Sequence, residues 1–200
     1  TEKFNQWIIE NDPISKYLSS AGVQFVSKVK PFELAKIRLF NGIHSYLAYY
    51  GEIHGIEFVA DVIGLPGMEK FVQEMQEDEI SKTIEIDIDL KKYASEIRNR
   101  MANKTLFHRC RQIAMDGSQK MPQRIIGSLN DLAKLNIPAP KLAIAFATWI
   151  NYLATSNAIN DPLALELVGF AKTKNLRGIS ALLAVPVDEK YDAEIRKHST

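Results

Sequence analysis

Three polar residues, Lys36, Asn41 and His44, interrupt an otherwise apolar stretch, KIRLFNGIHSYLAYYGEIHG, at residues 36–55. On an α-helix at about 100° per residue, His44 falls near 80° and Asn41 near 140° from Lys36, so the three share one broad face and rise about 12 Å along it. Ile37, Leu39, Phe40, Ile43, Leu47 and Ala48 fall on nearly every side, the pattern of a buried helix. Burying an amine, an amide and an imidazole is costly unless each is paired or used. Any one of them alone reads as satisfying a neighbouring helix end, but three on one face point to chemistry. A buried lysine gives up its proton more readily and approaches the range of a general base at neutral pH. An amide and a neutral imidazole beside it hold and polarise one oxygen. The expected chemistry is removal of a proton from an alcohol.

Other chemistries are excluded by what the chain lacks. The glycines form neither GxGxxG nor GxxxxGK[ST], so there is no dinucleotide fingerprint and no P-loop. His44, His54, His108 and His198 include no HExxH pair, and one cysteine makes neither a disulfide nor a cysteine-rich zinc site. No tyrosine has a lysine four residues later, so the Tyr-x-x-x-Lys pair of short-chain dehydrogenases is absent. Cys110 lies among His108, Arg109 and Arg111, a setting that lowers a thiol pKa, but a lone helical cysteine reads better as a packing residue. The lone cysteine fits a reducing, cytoplasmic setting. No apolar run reaches the length of a membrane span, and TEKFNQWIIE is not a signal peptide.

The elements that must position the three residues are helical. With 200 residues, 46% of them hydrophobic, the chain suits one well-filled core. Lys30-Pro31 opens the long helix, which runs to about Gly51 or Gly55. Pro66-Gly67 introduces a second helix, and TIEIDIDL at 83–90 alternates with period two but has no partner strand, so it reads as an extended connector. Further helices are expected from Leu90 to Met101, from Leu106 to Met115, from Pro122, from Pro140, and after the Asp161-Pro162 cap. There is no internal repeat or low-complexity tract. The expected class is all-α, with eight to ten helices in one domain over residues 1–200.

A net charge of +1 gives no reason to expect nucleic acid. The charges are nonetheless segregated. Residues 69–89 carry eight acids and two bases, whereas residues 98–124 carry seven bases and one acid, Asp116. Two solvated faces of opposite sign would account for this; a site for a small anion is the sharper reading.

KPFELAKIRLFNGIHSYLAYYG resembles the lysine-helix signature of the polyol-specific long-chain dehydrogenases, a family that includes mannitol 2-dehydrogenase, fructuronate reductase and tagaturonate reductase. FNQWIIEND and AGVQFV are similar to the segment leading into that region. RCRQIAMDGSQKMPQR, residues 109–124, is similar to a second family block and looks closest to the fructuronate reductases and mannonate oxidoreductases. The likeness fades after about residue 175.

The resemblance implies a two-part enzyme, with an amino-terminal Rossmann domain for NAD and a carboxy-terminal helical domain similar to that of 6-phosphogluconate dehydrogenases. This chain matches only the latter, which would explain both the missing glycine motif and the start at Thr1. The resemblance makes Lys36 the general base, Asn41 and His44 the groups that position the reacting oxygen, and Arg111 and Lys120 substrate-binding residues. It implies no metal. The family also draws an Asn and an Asp from the cofactor domain, and nothing here replaces them. The expected partners are a small sugar acid or polyol and the protein's own Rossmann domain, with no nucleic acid or membrane; NADP stands as the alternative cofactor. Positive charge at Arg109, Arg111, Lys120 and Arg124 favours a uronate, because a guanidinium grips a carboxylate with two hydrogen bonds. Mannitol or another hexitol is the runner-up substrate. A non-catalytic helical interaction domain is the alternative of another class, and it leaves the Lys-Asn-His face without a purpose.

Overall fold

The computed structural model describes residues 7–11, 13, 15–18 and 21–199, the side chains of 15 and 16 excepted. Parts of the upstream family-like segment, residues 4–6 and 12, lie outside the described residues.

The central element is one continuous helix over residues 30–54. It opens at Lys30, where Pro31 occupies the first turn, and ends at His54, where Gly55 takes the left-handed conformation at φ 68°. Ala35, Leu39, Ile43 and Leu47 recur every fourth residue and are fully buried. Tyr46, Ala48 and Tyr49 are buried as well, so this helix runs through the core. It packs against the helix Pro140–Thr155, whose Leu142, Phe146, Trp149 and Leu153 are sealed from solvent, and against the short helix Cys110–Ala114. Each such side chain contributes about 1.5–3 kcal/mol by leaving water.

Between Lys36 and Gly42 the central helix widens to π geometry. The same happens at Met75–Glu79 and at Pro122–Ile126. Sequence periodicity predicts a helix starting at Pro122; instead Pro122 lies inside a helix over residues 117–134. Pro122 has no N–H to give, and its carbonyl accepts from Gly127 five residues on, a π-type bond that accommodates it. The π segments at 36–42 and 122–126 pack on each other. A Cβ on Gly42 would stand 2.8 Å from the Arg124 carbonyl oxygen, so only glycine fits at the crossing.

Three further expectations are corrected. The helix expected over 106–115 begins only at Cys110. The preceding backbone is taken by another segment: Val59 N–H donates to the His108 carbonyl, Cys110 N–H to the Glu57 carbonyl, and Phe58 and Arg109 form an antiparallel bridge. The helix after Asp161-Pro162 starts at Ala164, and Asp161 caps a different helix, accepting from Ser118 N–H at 2.7 Å. A remote carboxylate there is worth about 1 kcal/mol. A small sheet joins the helices, because Ile8–Glu10 and Gln24–Val26 pair in parallel, Ile9 against Phe25. The connector is as expected: Ile84, Ile86 and Ile88 turn inward and Glu85, Asp87 and Asp89 outward before Asp89 caps the helix Leu90–Met101. The class is all-α and multi-helical, and among the described residues no helix is long and apolar enough to cross a membrane.

Candidate active site

The π segment carries the predicted residues. A π-bulge absorbs one extra residue, so Lys36 and His44 are related as if seven residues apart, about 20° rather than about 80° around the axis. Widening also turns carbonyls toward side chains. Leu39 O accepts from Gln76 Nε2 at 2.9 Å, and Asn41 O accepts from Arg124 Nη1 at 3.5 Å. Gln76 is fully buried and in turn accepts from Arg98 Nη1 at 2.8 Å, while Arg98 Nη2 pairs with Glu77. Arg124 Nη1 also donates to Ser45 Oγ at 2.9 Å, tying the 117–134 helix to the residue after His44.

His44 is the most perturbed of the predicted trio. Its Nε2 is closed off from solvent and has no hydrogen-bond partner among the described residues. Its ring lies between Phe40, with centroids 5.4 Å apart, and His108, at 5.0 Å. Burial, and then the charges of His108, Arg124, Arg100 and Lys120, push its pKa down to about 3. His44 is therefore neutral at physiological pH, one ring nitrogen a donor and the other an acceptor. Asn41 is half-buried one turn earlier.

Lys36 departs from expectation: it is exposed, not buried. The buried cation of this stretch is Arg38, which meets Asp131 at 2.6 Å and donates to the Thr83 carbonyl. Lys120 is half-buried near His44, and its ammonium donates to the carbonyls of Ile113 and Met115 at the end of the helix Cys110–Ala114. Burial and the neighbouring Arg124 lower its pKa. Arg111 is not brought to His44. It is exposed and lines an open cleft with Glu52, Gln112 and Met115, where its charge opposes the upward effect of burial on the Glu52 carboxyl. Cys110 is buried and its thiol is pushed up to about 12, chiefly by burial, which removes it as a nucleophile.

Two residues at this face were not selected from sequence. His108 stands one residue before the second family-like block, and Arg100 lies on the helix Leu90–Met101. Arg124, which ends that block, was singled out there only for its share of the positive charge. The clustering of basic residues at 98–124 was the only signal for Arg100.

The chain is 35% identical over 208 residues to D-mannonate oxidoreductase of Escherichia coli, covering 96% of this chain and 43% of that protein. It is 29% identical to mannitol 2-dehydrogenase of Aspergillus niger, covering 98% of this chain and 44% of the relative. It therefore spans less than half the length of these curated relatives. Among solved structures it resembles the Pseudomonas fluorescens mannitol 2-dehydrogenase ternary complex with NAD and D-mannitol, with a TM-score of 0.85 and 24% identity over 98% of this chain and 43% of that one. A D-sorbitol dehydrogenase in substrate-free form has the same fold, with a TM-score of 0.81 and 21% identity over 96% of this chain and 43% of that one. The profile of the mannitol dehydrogenase C-terminal domain matches residues 28–199, and the chain belongs to that family.

Proposed function

We propose that this chain is the substrate-binding and catalytic half of an NAD-dependent oxidoreductase that interconverts a secondary alcohol and a ketone on an open-chain sugar acid of the mannonate and fructuronate type. One observation carries the reading: a neutral imidazole with a sequestered, unpartnered Nε2, beside Asn41 on a bulged helix that brings Lys36 onto nearly the same face.

NAD supplies the hydride acceptor when bound. The residues here suit a sugar oxygen and lack the glycine-rich turn that holds a pyrophosphate, so cofactor recognition is assigned to the Rossmann domain that the resemblance implies. In the oxidative direction Lys36 takes the hydroxyl proton, while the Asn41 amide and the His44 imidazole hold the oxygen as its charge changes. In the reductive direction Lys36 returns the proton. A lysine acting as general base needs a water-poor site, and Lys36 is exposed here, so its cover is assigned to the cofactor half. Lys120 keeps a binding role through the backbone it fastens beside His44. Arg111, set apart in the Glu52 cleft, is the weaker binding assignment.

The test is NADH oxidation by the full-length enzyme with fructuronate, tagaturonate and fructose in parallel. A uronate is expected to turn over, and Lys36→Ala is expected to lose at least about 100-fold. Retention of more than about a tenth of the activity would refute the assignment of the base. Turnover of fructose alone would move the enzyme to the hexitol reading, which the similarity to mannitol 2-dehydrogenases supports.

A further inference from the structure

The segment Phe107–Arg109 sends one side chain inward and two outward. Phe107 is 68% exposed, its ring edge-on to Phe58 with centroids 5.9 Å apart. Arg109 is also exposed and pairs with Glu57 at 3.0 Å. His108, between them, turns in, and its ring meets His44 with centroids 5.0 Å apart and planes inclined at 53°. Backbone holds that direction. Val59 N–H donates to the His108 carbonyl at 3.0 Å, Cys110 N–H donates to the Glu57 carbonyl at 2.8 Å, and Phe107 takes the left-handed conformation at φ 48°. A bulky residue rarely adopts that region, and strain of this kind gathers where the surrounding structure aims a functional side chain. The conformation leaves Phe107 in solvent and orients the residue that follows.

His44 needs such a support. Its Nε2 bonds to no described residue, so packing on the two sides of the ring sets where that nitrogen points. Phe40, with its centroid at 5.4 Å, stands one turn earlier on the same helix and moves with His44. His108 comes from a separate segment and fixes the ring against the rest of the fold. After burial, the charge of His108 is the strongest of those that keep His44 neutral, ahead of Arg124, Arg100 and Lys120.

We propose that His108 is a positioning residue that buttresses the His44 imidazole and fixes the direction in which that ring meets the reacting oxygen. This rests on the role given to His44 above. His108 touches no reacting atom and acts through His44, so its effect on turnover vanishes once His44 is removed.

The experiment is a double-mutant cycle on the full-length enzyme, with D-mannonate and D-mannitol as substrates, in wild type, His108→Ala, His44→Ala and the double variant. His108→Ala is expected to lower kcat by about 10- to 100-fold with KM within about threefold, and to cost less than about threefold where His44 is already replaced. Equal losses in the two backgrounds, the mark of a residue that only supports the fold, overturn the proposal, as does a loss below about threefold in wild type. His108→Phe keeps a flat ring and is expected to retain at least about a third of kcat; a loss as large as that of His108→Ala overturns the proposal. Should His108→Ala fail to fold, His108→Gln takes its place in the cycle with the same expectations. Crystal structures of full-length wild type and His108→Ala give a readout that needs no turnover: a His44 ring turned or split between orientations supports the proposal, and an unmoved ring overturns it. Turnover of neither substrate by wild type would overturn the function proposed above and leave the two crystal structures to decide this inference. A His44→Ala enzyme as active as wild type overturns both.

Discussion

Gly42 tests whether the bulged helix and the 117–134 helix must touch. In Gly42→Ala the new methyl would lie 2.8 Å from the Arg124 carbonyl oxygen and 3.5 Å from Ile125 Cδ1. Ordinary contact begins near 3.4 Å, so a backbone must move by about 0.6 Å (3.4 minus 2.8). Helix propensity alone favours alanine by about 1 kcal/mol. Overpacking costs about 1–3 kcal/mol, toward the upper end where the obstacle is backbone and cannot rotate away. The displaced Arg124 also loosens its bonds to Ser45 and Asn41, each worth about 1 kcal/mol. The net loss is about 2 kcal/mol, a fall in Tm of about 4–8 °C for a chain of this size. Gly169, on the helix Ala164–Lys172, has nothing within 4 Å of its would-be Cβ. Gly169→Ala should therefore raise Tm by about 1–4 °C. Thermal unfolding followed by circular dichroism measures both. A Gly42→Ala protein melting at or above wild type would refute the close crossing and the site geometry that depends on it.

Two other predictions concern the supports of the site. Gln76→Leu keeps the volume but leaves the Leu39 carbonyl and an Arg98 N–H buried and unpaired, so urea unfolding should show a loss of about 2–4 kcal/mol. Folded His44 titrates near 3 against an ordinary value of 6.5, so the unfolded chain binds that proton more readily in between. The stability contributed by neutral His44 is full above pH 6.5 and falls as pH drops, by roughly 2 kcal/mol at pH 5; His44→Gln should flatten the decline in urea midpoints between pH 7 and pH 5.

Local signals gave most of the helices. Pro31 and Gly55 bound the central helix because a missing N–H and a left-handed turn act within a residue or two. The alternation at 84–88 was equally local. The π segment was invisible, since one extra residue leaves the apolar pattern nearly intact, and a wheel drawn for an uninterrupted α-helix put Lys36 inside and overlooked Arg38. The 106–109 stretch reads as helix in isolation, but Leu106 ends a 3-10 turn, Phe107 is left-handed at φ 48°, and the backbone of His108–Cys110 is claimed by residues 57–59. Asp161 reads as the cap of the helix that follows it, whereas it caps one starting 44 residues earlier at Gly117 (161 minus 117). At the site, Asn41 and His44 were legible from type and spacing. Arg100 and His108 were not, because they reach His44 from separate helices and loops, and nothing along the chain marks that approach.

The bulge at 36–42 makes the form of the helix, and not the chain length alone, a determinant of chemistry. Removing one residue there would restore a regular helix and leave Lys36 and His44 seven positions apart, at nearly the angle the bulge gives them, but would take away the carbonyls that the widening turns toward Gln76 and Arg124. Keeping every residue and regularising the segment would instead turn the upstream part by about a quarter of a revolution against His44. Lys36 would survive with its neighbours unchanged and face elsewhere. A transplanted site must therefore carry the bulged segment together with Gln76 and Arg124, which take up its carbonyls.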